Sequence, residues 1–142
     1  GCRSAAVDSL DVAVLGATEI DTSFNINVHT DSNGSIMGGS GGHSDAAAGS
    51  KLALIAAPLF RGRLPIVRDR VTCISTPGQD VDVLVTQAGL PVVDIHELKE
   101  RAERITGVPA PLPVSDRVVA RVISRDGELL DTIRQTDNRS GI

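Results

Sequence analysis

The chain carries almost no aromatic side chains: Phe24 and Phe60 are the only two, with no Trp or Tyr in 142 residues. Its core must therefore be built from Val, Ile, Leu and Ala, which suits strands buried on both faces beneath helices. An α/β domain follows. The length supports one domain with a real core and is short for a complete two-domain enzyme. Hydrophobic residues at 41 % and charged residues at 23 % are ordinary globular values. The longest apolar run, LALIAAPLF, is far too short for a membrane span, and nothing at the N-terminus reads as a signal peptide. A soluble, cytoplasmic protein with no membrane partner is the expectation. Cys2 and Cys73 have no metal-type spacing. A disulfide or a pair of thiols would satisfy them, and a cytoplasmic compartment favours thiols. A net charge of −4 argues against a nucleic-acid surface.

Periodicity orders the rest. LDVAVLG reads as a buried strand from Asp11 to Leu15 that ends at Gly16. SFNINVHT alternates Phe24, Ile26 and Val28 with Asn25, Asn27 and His29, the pattern of a strand with one wet face. Asp31 to Gly34 is then a turn, with Asn33-Gly34 at the positive-φ places. SDAAAGSK predicts a short helix with Ser44 or Asp45 as N-cap. KLALIAAPLF, IVRDRVTCIST and VDVLVTQ are three further strand candidates, separated by the turn-rich RGRLP and TPGQ. In DIHELKERAERITGVP, Asp94 and Glu97 form a capping-box pattern, and Ile95, Leu98, Ala102 and Ile105 recur at helical spacing. Gly107 and Pro109 close that helix. RVVARVISRDGELLDTIRQ predicts a hairpin turning at Asp126-Gly127, followed by a polar tail over 136–142.

Between these elements lies SIMGGSGGHSDAAAGSK, Ser35 to Lys51. A P-loop requires lysine directly after its last glycine, but here the order is Gly49-Ser50-Lys51. A dinucleotide fingerprint starting at Gly39 would need glycine where Ser44 stands. Gly38-Gly39-Ser40-Gly41-Gly42 does match the hydrolase elbow G-x-S-x-G. Any serine in a glycine-rich run does so, however, and the elbow's preceding strand is missing. The same residues can instead act through their backbone. Glycines let amide N–H groups approach a bound phosphate or a developing thioester oxyanion, and a tight turn with no ligand is the plainer alternative. A second concentration lies in PLFRGRLPIVRDRV. Arg61 and Arg63 are two apart, as are Arg68 and Arg70, so in extended chain each pair points one way, toward phosphates, carboxylates or solvent.

Five ordered stretches carry a resemblance: GCRSAAVDSLDVAVLGATEIDTSFNINV, IMGGSGGHSDAAAGSK, PLFRGRLPIVRDRVT, TPGQDVDVLVT and RVVARVISRDGELLDTIRQ. Together they closely resemble the C-terminal region of the citrate lyase alpha chain family, in the CoA-transferase superfamily. The resemblance implies a CoA-transferase-type α/β domain, a largely parallel sheet flanked by helices with a C-terminal β-hairpin. It also implies an activity, exchange of acetate for citrate on the thioester of an acyl carrier through a mixed anhydride, with no enzyme nucleophile. The implied thioester substrate is acetyl-CoA or the phosphoribosyl-dephospho-CoA arm of the carrier, with no covalently bound cofactor and no metal. The implied partners are the beta (citryl lyase) and gamma (acyl carrier) subunits and further copies of the chain.

Residue by residue, the resemblance places Gly41 and Gly42 as oxyanion amides and His43 and Asp45 as catalytic-loop residues. Ser40, Ser44, Asn25, Arg61 and Arg63 stand as substrate-binding candidates. Glu19, in Glu19-Ile20-Asp21, does not match the nucleophilic glutamate of covalent CoA-transferases and is expected to be structural. Family members are several times longer. Their stretch between the VDVLVT strand and the AGLPV that leads into the helix is also longer, so a shortening is expected near residues 87–88. A serine hydrolase using Ser40, and a non-catalytic fragment that binds acyl-CoA or partner subunits, are the rival readings.

Overall fold

The computed structural model describes residues 6–87, 94–124 and 126–136. A single 3-10 turn, Ala6–Ser9, leads into strand β1, Val12–Leu15. Strand β2 (Glu19–Asp21) and the two-residue β3 (Ile26–Asn27) follow, and then helix α1 (His43–Gly49) and β4 (Leu52–Ala56). After these come β5 (Phe60–Arg61), β6 (Leu64–Pro65), β7 (Val67–Arg68), a 3-10 turn at Gly78–Asp80 and β8 (Val83–Val85). Helix α2 (Ile95–Thr106) and the hairpin strands β9 (Val114–Ile123) and β10 (Leu129–Thr136) complete the order.

The main sheet is parallel, in the order β1-β4-β8, with Val12 opposite Leu52 and Ile55 opposite Leu84. Parallel strands need crossovers, and the two here run β1 to β4 and β4 to β8, both toward the same side of β1. Both crossovers cover the same face. Ile55 and Leu84 on that face pack with Ile20, Ile26, Ile66, Val67 and Ile95, and Leu15 borders the cluster. The Val, Ile, Leu and Ala core required by the scarcity of aromatics is thus present. The opposite face of the sheet is also apolar, as two-sided burial demands, yet Val12 is 50 % and Val14 66 % exposed. Among the described residues no helix lies over it. No helix there is long and apolar enough to cross a membrane.

A second sheet, β3-β2-β7, pairs β2 antiparallel with β3 and parallel with β7. Here the wet-faced strand expected over SFNINVHT is corrected. Phe24 sits at φ 64, so regular strand is confined to Ile26–Asn27. Asn27 is fully buried, because its side chain donates to Glu19 and Thr30 rather than to water. The turn after it takes positive φ at Gly34 alone, and the Asp31 carboxylate accepts the Asn33 and Ser35 amides. This is an Asx-type turn, not the expected Asn-Gly pair.

Helix α2 behaves as its capping pattern predicts. Asp94 Oδ1 accepts the amides of His96 and Glu97 at 2.9 and 3.1 Å, and Gly107 ends the helix at φ 85. Ile95 and Ala102 are buried, but Ile105 is 72 % exposed and lies off the apolar stripe. Lys99 bridges Glu103 and Asp69, tying the helix to the segment after β7. The hairpin β9-β10 turns through Gly127 at φ 86 as expected, and its Val122 and Ile133 close over Cys73. Cys73 is a buried free thiol, its pKa pushed up to about 12 by burial and by nearby Asp131 and Glu19. Cys2, the polar tail beyond Thr136 and most of the expected shortening near 87–88 lie outside the described residues.

Candidate functional site

The glycine loop ends in a tight turn at the carboxyl end of β1. The His43 amide donates to the Ser40 carbonyl at 3.2 Å, with Gly41 at φ 59 and Gly42 at φ −91 between them. A positive φ at the first central position is the reason Gly41 must be glycine. Gly42, not Ser44 or Asp45, is the N-cap residue of α1, and no side chain caps the helix. The sequence offered two good capping side chains, but the glycine turn already orients the chain into the helix. Gly41 and Gly42 are exposed, a Cβ at either would meet nothing within 4 Å, and neither amide has a partner among the described residues.

His43 anchors this turn. Only 9 % exposed, its ring bridges Thr76 Oγ1 at Nδ1 and the Gly16 carbonyl at Nε2, both at 2.8 Å. A carbonyl only accepts, so Nε2 carries the proton and Nδ1 accepts from the threonine hydroxyl. Both ring nitrogens are spent. His43 therefore positions the loop and has no lone pair left with which to serve Ser40 as a base. His29 lies close by, its Nδ1 on Ser75 Oγ, while the Ser75 hydroxyl also receives the Val28 amide. Burial lowers the pKa of both rings, and the His43 ring adds to the effect on His29.

The sign of the resulting pH dependence is fixed. Because both rings resist protonation in the folded state, the unfolded chain takes up protons first as pH falls below about 6.5, and stability declines from there downward. Thermal unfolding should be insensitive to pH between 7 and 8. It should then lose about 4 °C per unmatched proton across the next unit of acidification, well above carboxylate titration. A variant with both His29→Gln and His43→Gln should show a flatter profile over that window. A profile unchanged by the pair would remove the histidines as its cause.

The remaining candidates separate. Ser44 and Asp45 line a cleft of about 180 Å³ together with Asp80, Asp126 and Glu128. Burial raises the pKa of the Asp80 carboxyl. So acidic a cleft does not attract a carboxylate substrate, and Asp45 in the first turn of α1 suits the helix itself. Asn25 is committed inside the protein, donating to Asp21 Oδ2 at 3.1 Å and accepting from the Gly78 amide at 2.9 Å.

The arginines do not act as extended pairs. Phe60 pairs with Pro65 and Arg61 with Leu64, so Gly62 at φ 61 and Arg63 form a two-residue hairpin turn that splits Arg61 from Arg63. Arg63 is exposed, whereas Arg61 Nη1 is buried without a hydrogen-bond partner among the described residues. Arg68 pairs with buried Glu19 at 3.1 Å. With Arg70, Arg134, Thr72 and Asp131 it lines a cavity of about 540 Å³ beneath the hairpin. Ser75, Thr76 and Gly16, which hold the two histidines, were not legible as site residues. Ser75 and Thr76 fall at the edge of a stretch that reads only as strand and turn. Among the described residues no cluster of His, Cys, Asp and Glu could hold a metal ion.

A parallel sheet with an exposed glycine turn at the carboxyl end of one strand places the chain in the α/β class, whose sites form at that end. The family model for the alpha subunit of citrate lyase matches residues 1–92 and 86–136. The chain belongs to that family. It is 47 % identical to the citrate lyase alpha chain of Klebsiella pneumoniae over 97 % of its own length and 31 % of the relative's. It is also 47 % identical to that of Escherichia coli (strain K12), over 95 % and 30 %. A Streptococcus mutans structure solved as the citrate lyase alpha subunit in complex with citrate superposes with TM-score 0.87 at 39 % identity. That match covers 94 % of this chain and 30 % of that one. The chain thus spans about 31 % of the length of the curated relatives it matches, in their C-terminal region.

Proposed function

We propose that the chain supplies part of the transferase site of a citrate lyase, exchanging acetate for citrate on the thioester of an acyl carrier. Membership of the family and the citrate bound to the Streptococcus mutans relative support the substrate. The observation that carries the reaction is the open glycine turn, with two exposed amides that have no partner among the described residues.

A citrate carboxylate oxygen attacks the thioester carbonyl carbon, and the electron pair moved onto the carbonyl oxygen is received by the Gly41 and Gly42 amides. Collapse breaks the C–S bond and leaves a citryl-acetyl anhydride and a thiolate on the carrier arm. The thiolate then attacks the citryl carbonyl and expels acetate. No enzyme nucleophile is consumed. Arg61 Nη1, buried without a partner among the described residues, supports a part for Arg61 in holding a carboxylate or phosphate; the exposed Arg63 would act by charge alone. His43 keeps the turn in place, and Ser44 and Asp45 would orient the loop or touch substrate. The thioester is carried by acetyl-CoA or by the carrier's phosphoribosyl-dephospho-CoA arm, in a cytoplasmic complex with beta and gamma subunits.

Mixing the chain with acetyl-carrier and labelled citrate, with and without the upstream part of a relative, tests this reading. Label should move to the carrier only when that part is present. Gly42→Val should lower the rate about 10²–10³-fold, yet cost only about 1 kcal/mol of stability, since φ is ordinary and no atom is met. Equal loss of folding and transfer would reduce the loop to a turn, and thioester hydrolysis abolished by Ser40→Ala would replace transfer with hydrolysis.

A further inference from the structure

We infer that His29 contacts substrate at the proposed site, its Nε2–H donating to a carboxylate of the incoming acid beside the glycine turn. This deepens the transfer reading and rests on citrate being that acid. The backbone of His29 already belongs to the loop. Its carbonyl receives the Met37 amide at 2.8 Å, and Thr30 pairs with Ile36 in an antiparallel bridge. The residue thus lies against the segment that enters Gly38, and its half-buried ring is near enough to His43 for that ring to act on it. Ser75 sets the orientation. Its Oγ meets Nδ1 of His29, and the residue is 1 % exposed and already receives the Val28 amide at 2.9 Å.

The tautomer follows from that hydroxyl. A buried O–H needs an acceptor, and among the described residues Nδ1 of His29 is the one within reach of Ser75. A proton on Nδ1 would instead give Ser75 Oγ two donors and leave its own hydrogen unused. Nδ1 therefore accepts, and the ring, kept neutral by burial, carries its proton on Nε2. That N–H has no partner among the described residues and is not sealed from solvent. His43 shows the same device closed: Thr76 stands on its Nδ1, but its Nε2 is spent on the Gly16 carbonyl. Adjacent hydroxyls thus hold two rings at the turn, one anchored at both ends and one with a donor to offer. The chemistry of the reaction selects the acceptor. An attacking carboxylate must come within about 3–3.5 Å of the thioester carbon, so it arrives beside the oxygen received by Gly41 and Gly42. The flank of Ser44 and Asp45 opens on Asp80, Asp126 and Glu128, which repel it. At His29 the group that acts on the ring is another imidazole and not a carboxylate. Citrate has carboxylates to spare: one attacks while another accepts from His29.

The test reads binding, so it does not depend on turnover. Labelled citrate is equilibrated by dialysis with the 142-residue chain supplied with the upstream part of the Klebsiella pneumoniae alpha chain. His29→Asn keeps a polar atom where Nδ1 meets Ser75 and leaves the place of Nε2 empty. Melting should then change little, while citrate affinity falls about 10–100-fold, the loss of one hydrogen bond to a charged group. His29→Gln carries an amide N–H toward the place of Nε2 and should restore most of that affinity. In the unaltered chain citrate should also move the ring nitrogen resonances of His29 and leave those of His96, on α2, unchanged. A structural role alone predicts the reverse order, with Asn retained and Gln impaired. That order, equal affinity in all three proteins, or no citrate bound by the unaltered one would each overturn the assignment. Affinity lost in Asn and recovered in Gln, with no label passing to the carrier, would leave it standing and count against the transfer chemistry alone. Transfer that proceeds in His29→Asn with an unchanged KM for citrate would remove His29 and spare the transfer reading.

Discussion

Replacing Gly78 with alanine should unfold the second sheet, because the space for a methyl group at that position is occupied by backbone. A Cβ there would lie 1.9 Å from the Ser23 carbonyl oxygen and 2.9 Å from the Phe24 carbonyl carbon. These are main-chain atoms, so no rotamer change relieves the contact. The neighbouring loop cannot retreat either. The Asp21 carboxylate holds the Ser23 and Asn25 amides, Phe24 sits at φ 64 with its amide on the Asp21 carbonyl, and Asn25 Oδ1 receives the Gly78 amide. Moving the loop would break this set and the adjacent Ile26–Thr76 pairing, and Thr76 holds His43. The cost should reach the upper end of overpacking, about 3 kcal/mol or more, and lower Tm by about 10 °C or more. Gly39→Ala is the control. Its Cβ meets nothing within 4 Å and its φ is ordinary, so it should change Tm by no more than about 2 °C. Thermal unfolding of the two variants decides the matter, and equal melting would show that the Ser23–Asn25 loop is free to move.

Gly78 also marks how far the sequence could be read. TPGQ announced a turn, and a turn is present, but the need for glycine there comes from a loop more than fifty residues away that no local pattern reveals. Where the chain's chemistry is local, the reading held. Asp94 caps α2, Gly127 turns the hairpin, and the apolar run before Gly16 is a strand, although only its Ala13 is buried and Val12 and Val14 face outward. Where long-range polar partners decide, it failed. Asn27 looked solvent-facing by alternation but is drawn inside by Glu19 and Thr30, and IVRDRVTCIST keeps only Val67–Arg68 as strand while its amides turn to carboxylates. The glycine turn was visible as composition, and its open amides follow from that composition. What fixes it, a histidine bridging Thr76 and Gly16, joins three distant segments.

Glu19 gives the second large effect, and one that separates a structural glutamate from a nucleophile. The residue is fully buried, and every direction around its carboxylate is filled. Oε2 accepts from Asn27 Nδ2 and the Thr72 amide at 2.9 and 2.8 Å, and Oε1 accepts from Arg68 Nη1 and the Thr72 hydroxyl at 3.1 and 3.2 Å. Such an ion stays buried only because these donors satisfy it, and they in turn are left unpaired when it goes. Glu19→Ala should therefore cost about 3–5 kcal/mol, a large part of the stability of a domain this size. Glu19→Gln preserves the shape but turns an N–H toward Arg68 or toward the Thr72 amide, and should cost about half as much. Arg68→Met placed on Glu19→Gln should recover part of that loss, because the uncompensated guanidinium has gone with its partner, and the double-mutant cycle should show a coupling of about 1–3 kcal/mol. Denaturant unfolding measures all three. A glutamate kept for covalent catalysis would behave differently, with Glu19→Gln folding normally and losing only turnover. That outcome would overturn the structural assignment, whereas a destabilised Glu19→Gln whose loss Arg68→Met offsets would uphold it.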